Sequence, residues 1–271
     1  MSDVFVTPLG TVSPYPKGDK NCPGFFIEYS DNKILLDCGN GCTRLLNLPD
    51  DLKKLKIFIS HLHPDHYGDL LSLIQAIKVY DRFGFVENDI NIYIPGDDRV
   101  TERICLDGDD WDTPHSVNTN ILDFKLIRDL TEKGPFNFYE CIPSSLEFDD
   151  ITLTSITVPH QISSYAIKVA TPDGVIVYSS DTGTRNNLAY FAKDCDLFIC
   201  EATFLKGQYR AEDAHLYAWE AATIAKNAGV KKLLLTHFWP EIDKEKYLDE
   251  AKSIFENVEV AEEGKKLVLR R

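Results

Sequence analysis

Three histidines and one aspartate lie within a single short stretch, which has the sequence SHLHPDH from Ser60 to His66. Neutral imidazoles and carboxylates are common protein ligands of Zn²⁺ and similar divalent ions. His61 and His63 are two positions apart, so their side chains project to one side of an extended backbone, whereas the adjacent Asp65 and His66 project differently. The spacing therefore favours a pair of ligands for each of two metal ions over a polar surface loop.

The stretch lies between a predicted strand and a predicted helix. The run KIFI at 56–59 is typical of a buried strand, and apolar residues recur at helical spacing over 70–77. Pro64 stiffens the turn between these two elements. Binding sites in α/β sheets collect at the carboxyl ends of strands, so the stretch lies where a site is expected.

Three further polar residues follow predicted buried strands one at a time. His160 follows ITVP, Asp181 follows IVYSS and His237 follows LLLT. A single polar residue at a strand end usually caps the strand or satisfies a hydrogen bond. In a chain that already carries the first cluster, three such residues favour a role as additional metal ligands.

The pattern HxHxDH after a strand is a signature of the metallo-β-lactamase fold, and this chain resembles that superfamily in the motif and its flanks. The contexts VPH, SSDTG and LTH match in the same order. The resemblance implies an α/β fold, a four-layer αβ/βα sandwich. It also implies one metal held by His61, His63 and His160, a second held by Asp65, His66 and His237, and Asp181 as the bridge between them.

The metal pair that the resemblance implies would supply a nucleophile. Two ions about 3.5–4 Å apart bind a water or hydroxide between them and neutralise charge on a phosphate or carbonyl oxygen. Coordination also lowers the pKa of that water toward neutrality. Asp65 is the candidate to orient or deprotonate the nucleophile. Zinc is the expected metal, with manganese or iron as alternatives. Flavodiiron proteins replace one of the histidines by glutamate, and this chain does not, which favours hydrolysis over oxygen chemistry.

Two residues outside the ligand set resemble the ribonuclease Z group. Glu201 begins the tripeptide EAT, and His215 lies in AHL before an alanine-rich helix. In that group the histidine, held by the glutamate, helps to protonate the leaving oxygen. A purely structural hydrogen-bonded pair is the alternative for these two residues. The resemblance also places Asp37 beneath the metal site, where it would orient a ligand imidazole, unless it only caps a turn.

One feature of ribonuclease Z is absent. Those enzymes carry a long arm that grips transfer RNA between the ligands that match His160 and Asp181. Here the two positions are only 21 apart, and a predicted hairpin fills the interval. The chain also has 43 acidic and 29 basic residues, a formal net charge of −14, which disfavours a general polyanion binder. A dedicated transfer-RNA maturase is therefore not expected.

The remaining composition indicates a single α/β domain over residues 1–271. Seven cysteines at irregular spacing indicate no disulfide framework and favour a reducing cytoplasm. Neither a signal peptide nor a membrane-spanning run is predicted. The acidic segment 103–120 is interpreted as a solvated loop rather than a lid, and His115 within it as a non-ligand. The family resemblance implies a homodimer.

These observations predict a binuclear metal-dependent hydrolase. The expected substrate is a phosphodiester in a small molecule, such as a cyclic nucleotide or cyclic phosphate, or in a short nucleic acid. The alternatives are hydrolysis of a lactone, thioester or amide at the same metals, and a ribonuclease Z-type endonuclease. A metal-bound scaffold without activity would require the loss of a ligand or catalytic group, and none is missing.

Overall fold

The computed structural model describes residues 2–96, 120–140, 142–184, 187–210 and 214–269. His115 and nearly all of the acidic segment 103–120 lie outside these ranges, so both interpretations remain predictions. The described strands, in chain order, are β1 (Val4–Gly10), β2 (Gly24–Tyr29), β3 (Asn32–Leu36), β4 (Leu55–Phe58), β5 (Ile90–Tyr93), β6 (Phe136–Tyr139), β7 (Ser145–Phe148), β8 (Ile151–Val158), β9 (Ser164–Thr171), β10 (Gly174–Tyr178), β11 (Leu197–Glu201), β12 (Leu233–Thr236), β13 (Val258–Val260) and β14 (Leu267–Leu269). The described α-helices are α1 (Pro64–Tyr67), α2 (Leu70–Arg82), α3 (Asn120–Thr131), α4 (Leu188–Phe191), α5 (Ala218–Ala228) and α6 (Glu245–Lys252).

The described strands form two sheets of seven strands each. Their orders are β14-β1-β2-β3-β4-β5-β6 and β13-β12-β11-β10-β9-β8-β7. Within each sheet, four consecutive strands are parallel, namely β3 to β6 in the first and β10 to β13 in the second. Parallel neighbours end at the same edge, so residues that follow different strands are brought together there.

Three apolar cores hold the layers together. Between the sheets, buried side chains such as Phe25 and Ile34 of the first sheet pack with Ile167 and Ile199 of the second. On the outer faces, α2 packs on the first sheet and α5 on the second. Burial of each large apolar side chain contributes about 1.5–3 kcal/mol. The layer order is helix, sheet, sheet, helix, and the predicted four-layer sandwich is therefore confirmed.

The predicted elements mostly agree with the observed ones, and the differences lie in short or marginal segments. The sequence predicts a helix over 245–256, and the structure has α6 end at Lys252. Strands β6 and β13 were not predicted, because runs of four and three residues contain too few periods to indicate a strand. Helix α5 ends as predicted at Gly229, whose φ of 66° is the left-handed conformation that favours glycine. The assignment of residues 1–271 to one domain remains a prediction.

Candidate active site

The predicted metal ligands, Asp37 and Glu201 all follow, or end, strands that finish at the same end of the two sheets, whereas His215 lies in the loop before α5. Asp37 follows β3, and the stretch 60–66 follows β4. In the second sheet the site residues are His160 after β8, Asp181 after β10, Glu201 at the end of β11 and His237 after β12. Strand ends from both sheets thus meet at one place, although the residues there are widely separated in the chain.

The first group of candidate ligands comprises His61, His63, His160 and Asp181. The Nδ1 atom of His63 lies 3.2 Å from His61 Nε2 and 3.0 Å from His160 Nε2. Asp181 Oδ2 lies 3.5 Å from His61 Nε2 and 3.9 Å from His160 Nε2. Nitrogens bound tetrahedrally to zinc at 2.0–2.1 Å would be about 3.3–3.4 Å apart. The four donor atoms therefore have a spacing that suits one divalent ion.

The second group comprises Asp65, His66 and His237. The Nε2 atoms of the two histidines are 3.3 Å apart, and Asp65 Oδ2 lies 3.8 Å and 3.7 Å from them. The other oxygen of Asp181, Oδ1, lies 3.3 Å from His66 Nε2 and 3.1 Å from His237 Nε2. Asp181 thus presents one carboxylate oxygen to each group, which is the arrangement of a bridging ligand.

Asp181 Oδ1 gives an independent sign that the site is built for a cation. This oxygen is buried and accepts no hydrogen bond, although two imidazole nitrogens lie close to it. An unpaired buried carboxylate oxygen is costly, because it loses its hydration without a replacement. A divalent cation between Asp181 and the histidines would compensate this cost of desolvation. The residues present therefore fit a divalent metal centre.

The hydrogen bonds of the imidazoles fix which ring nitrogen faces the centre. His66 Nδ1 donates to Asp37 Oδ2 at 2.7 Å, and His160 Nδ1 donates to the Ala214 carbonyl oxygen at 2.9 Å. His237 Nδ1 donates to the hydroxyl of Thr203 at 2.8 Å, since that hydroxyl gives its own proton to Glu201. In each of these three histidines, the lone pair of Nε2 is then available to coordinate a metal ion. His63 differs, because its Nδ1 faces the centre.

Asp37 is a fully buried carboxylate that organises the base of the site. It accepts hydrogen bonds from the Ser60 amide at 2.6 Å, the Ser60 hydroxyl at 2.8 Å and the Tyr178 hydroxyl at 2.7 Å, in addition to His66. It therefore connects the ends of β3, β4 and β10 to one ligand ring. This contact set is that of a residue that orients a ligand rather than of a turn cap alone.

We expect Asp37→Asn to weaken divalent metal binding about 10- to 100-fold, because the amide removes the negative charge that holds the His66 ring. Isothermal titration of metal-free protein with Zn²⁺ measures this loss. Tyr178→Phe is the matched control, since it removes one donor but leaves the carboxylate, and its effect should be clearly smaller. Unchanged affinity in Asp37→Asn would favour the turn-capping role.

The pKa values of the histidines shift in opposite directions in the two groups. Burial lowers the pKa values of His61, His63 and His160 from 6.5 to about 4 in the metal-free protein. Burial acts in the same direction on His66 and His237, but the surrounding carboxylates, Asp181 first, outweigh it. They raise the pKa of His66 well above its ordinary value and that of His237 to about 10. The three histidines of the first group are therefore neutral at pH 7, as imidazole ligands of a metal must be.

The stability of the metal-free protein should fall as the pH is lowered from about 6.5 to about 4. In that window His61, His63 and His160 take up protons in the unfolded chain but stay neutral in the folded one, so protonation favours unfolding. Thermal unfolding of chelator-treated protein across this range measures the effect. His160→Gln should make the pH dependence shallower. An equally steep dependence in that variant would contradict the assignment.

Glu201 and His215 form a pair beside both groups. His215 Nδ1 lies 3.0 Å from Glu201 Oε1, and its ring stacks on that of His237 at 5.2 Å between centroids. Glu201 is buried and also accepts hydrogen bonds from the Thr182 and Leu216 amides. Burial lowers the pKa of His215, but the Glu201 carboxylate outweighs it and the net shift is upward. The His215 side chain is partly exposed, whereas that of Glu201 is buried.

Three residues at these strand ends have a strained backbone. Asp37, Ser180 and His237 have φ values of 59°, 53° and 65°, a left-handed conformation that costs a non-glycine residue about 1–3 kcal/mol. Gly39 allows a close backbone approach, because a Cβ atom there would lie 2.1 Å from the Asp65 carbonyl oxygen. Such features persist where the surrounding packing holds them, and here they aim side chains at the site.

Several site contacts were not predicted from the sequence. Ser13 donates a hydrogen bond to Asp65 Oδ2 at 2.6 Å from 52 positions away. Thr203 joins Glu201 to His237, and Tyr178 contacts Asp37. Only Thr203 had a local signal, because it lies in the EAT tripeptide. The predicted ligands and the Glu201–His215 pair are all brought together, and their roles remain proposals.

Comparison with known proteins identifies relatives over nearly the whole chain. The family model described as beta-lactamase superfamily domain matches residues 32–238. Ribonuclease Z of Archaeoglobus fulgidus is 27% identical over 299 aligned positions, which cover 95% of each protein. The probable metallo-hydrolase YhfI of Bacillus subtilis is 27% identical over 261 positions, covering 96% of this chain and 97% of YhfI.

Solved structures show the same fold. The crystal structure of the metallo-beta-lactamase fold protein YhfI has a TM-score of 0.80 and 24% identity, and covers 99% of this chain and 100% of that one. The short form of human tRNase Z has a TM-score of 0.73 and 21% identity, with 98% and 100% covered. At these identities the structural likeness concerns the fold alone.

Proposed function

Because this chain belongs to the β-lactamase superfamily and is a metal-dependent hydrolase, we propose that it hydrolyses a phosphodiester in a small molecule or a short nucleic acid. A cyclic nucleotide or cyclic phosphate is the preferred substrate. The observation that carries the proposal is the Glu201–His215 pair beside two groups of metal-type ligands. A phosphodiester with an alcohol leaving group needs both a nucleophile and a proton, and this site offers residues for each.

We assign the two groups of ligands to two divalent ions, with zinc as the expected metal and Asp181 between them. When bound, such ions supply hydroxide at neutral pH and neutralise charge on a phosphate. The protein holds His66, His160 and His237 in one tautomer through their Nδ1 hydrogen bonds. Asp65, fixed by Ser13, is the residue that orients the nucleophile. Atomic metal analysis of purified protein counts and identifies the ions.

His215 is assigned as the acid for the leaving oxygen. Its Nδ1–H is directed to Glu201, which favours the protonated ring and leaves Nε2–H to donate. As the bond from phosphorus to the leaving oxygen breaks, a proton from Nε2 would neutralise the alkoxide. Glu201 does not touch the substrate in this scheme. It keeps the imidazole in place and charged, with its own oxygens occupied by other donors.

A dedicated transfer-RNA processing role is not part of the proposal. The interval from His160 to Asp181 contains only β9, β10 and a tight turn at Pro172–Gly174. The alignment to the archaeal ribonuclease Z spans 299 positions, although 95% of this 271-residue chain is only about 257 residues. About 40 positions of that alignment therefore have no counterpart here. The alignment to YhfI, over 261 positions, requires almost no such insertion.

A substrate panel tests the proposal. Metal-loaded protein is expected to hydrolyse bis(p-nitrophenyl) phosphate and at least one cyclic nucleotide, and to leave lactones, thioesters and a precursor transfer RNA uncleaved. Asp65→Asn is the matched inactive variant that excludes a contaminating enzyme. Hydrolysis of a lactone or thioester without any phosphodiester activity would contradict the proposal and favour carbon chemistry at the same centre.

The described helices and cysteines bear on the cellular location of the protein. None of the helices within the described ranges is long and apolar enough to cross a membrane. The five described cysteines are free and buried, which is consistent with a reducing compartment. From the free cysteines we propose a cytoplasmic location, and the homodimer stays a prediction. Fractionation of cells and light scattering of the purified protein check these two points.

A further inference from the structure

Two exposed aromatic side chains lie together next to the metal-type ligands. Tyr15 is 41% exposed and Trp239 is 40% exposed, and their rings meet edge to face with centroids 6.4 Å apart. Two neighbouring exposed rings present an apolar surface that a planar ligand group can cover. Trp219 is another exposed aromatic near His215, and it stacks on Tyr217 with ring centroids 6.4 Å apart. Tyr15 and Trp239 differ from it because they meet across the two segments that carry Ser13 and His237.

Backbone pairing places this aromatic pair at the rim of the site. Segment 11–13 runs alongside 237–238, since the Phe238 amide donates to the Thr11 carbonyl at 2.9 Å and the Ser13 amide donates to the Phe238 carbonyl at 3.0 Å. Ser13 contacts Asp65, and His237 is itself a candidate ligand. Tyr15 and Trp239 each follow two residues later, so their Cα atoms lie within about 7 Å of those of Ser13 and His237.

The pair is held in place before any ligand arrives. The Tyr15 hydroxyl donates to Glu241 Oε1 at 2.9 Å, and Lys17 forms an ion pair with the same carboxylate. The Trp239 amide is 3.3 Å from the Tyr247 hydroxyl, and its carbonyl accepts from Ile242. These contacts fix the Tyr15 ring through its hydroxyl and the Trp239 residue through its backbone, and a ring that is already fixed loses little entropy when a planar group stacks on it.

We propose that Tyr15 and Trp239 form a stacking subsite for a nucleobase, so that the preferred substrate is a small nucleotide phosphodiester. The inference rests on the proposed function and narrows its substrate class. A base stacks on an aromatic ring without a charge requirement, because every base has a π-face. This suits a chain of net charge −14, which repels long polyanions but can accept a single phosphodiester with an attached base.

Equilibrium binding tests the subsite. The experiment compares adenosine monophosphate with ribose 5-phosphate by calorimetry on metal-loaded protein. Trp239→Leu and Tyr15→Leu are each expected to weaken adenosine monophosphate binding about 5- to 100-fold, and to leave ribose 5-phosphate binding unchanged. Phe83→Leu is the control, because this exposed aromatic caps the far end of α2, about 20 Å along the helix from its first residue. Metal content and melting temperature verify that each variant is folded and loaded.

The outcomes separate this inference from the proposed function. Equal binding of adenosine monophosphate by wild type and both aromatic variants would overturn the subsite, even if phosphodiesters are hydrolysed. Base-dependent binding that is lost in the variants, in a protein without phosphodiesterase activity, would support the subsite and reject the function. A cavity of about 240 Å³, lined in part by Lys20, Lys244 and Ile242, offers another place for a base. A loss in Lys244→Ala but not in Trp239→Leu would locate the base there and overturn the proposal.

Discussion

Replacing Asp181 by alanine is expected to remove metal from both ligand groups at once and to lower phosphodiester hydrolysis at least about a thousandfold. Its two carboxylate oxygens face different groups, and each lies within 3.1–3.9 Å of histidine nitrogens in that group. The metal contribution to charge stabilisation amounts to several kcal/mol, and a factor of ten in rate corresponds to about 1.4 kcal/mol. Metal content after dialysis and the rate on bis(p-nitrophenyl) phosphate provide the two measurements.

A single-group ligand should behave differently from the bridging residue. His160→Ala is expected to reduce metal content by about one ion per chain, whereas Asp181→Ala should affect both ions, since among the described residues Asp181 directs one carboxylate oxygen to the histidines of each group. Asp249→Ala, an exposed carboxylate on α6, is the control that should retain full metal content. Full metal occupancy in Asp181→Ala would contradict the bridging assignment.

Replacing His215 by alanine is expected to slow hydrolysis of a diester with a poor leaving group about 10²- to 10⁴-fold, the usual contribution of general acid catalysis. The reason is that an alkoxide must be protonated as it leaves, and the imidazole held by Glu201 is the group beside the centre that can do so. p-Nitrophenolate is stable without a proton, so the loss on bis(p-nitrophenyl) phosphate should be much smaller. Rates on the two substrates, measured on the same preparation, give the comparison.

This difference between leaving groups separates a catalytic role from a structural one. If His215 only supports the fold, the alanine variant should lose activity equally on both substrates, along with metal or thermal stability. His115→Ala is the matched histidine control, because His115 is predicted to be a non-ligand. Glu201→Gln should reproduce the His215→Ala pattern more weakly, since it acts through the imidazole, and should also lower the melting temperature because Glu201 is buried and fully hydrogen-bonded.

Local sequence patterns predicted most of the strands and helices and the candidate ligands, whereas the four-layer fold and the division of the ligands between two metals followed from the family resemblance. The cluster at 60–66 is a short motif that lies at a predicted boundary between a strand and a helix. The motif and the boundary can each be recognised from neighbouring residues alone. The single residues His160, Asp181 and His237 each follow a buried strand, which hydrophobic runs reveal without tertiary information. The prediction that these residues lie together came from the family resemblance. The hydrophobic period of a single segment does not reveal the order of the strands in a sheet.

Only the tertiary structure decided which atoms meet. His63 directs Nδ1 to the centre, whereas the other ligand histidines direct Nε2. Distant contacts hold these rings: Tyr178, for example, donates a hydrogen bond to Asp37 from 141 positions away, and Asp37 in turn holds the His66 ring. Likewise Ser13 reaches Asp65, and Tyr15 meets Trp239, only because segment 11–13 pairs with 237–238. The direction of a side chain at a strand end is set by packing against distant segments of the chain. Residue type and local spacing therefore do not predict it.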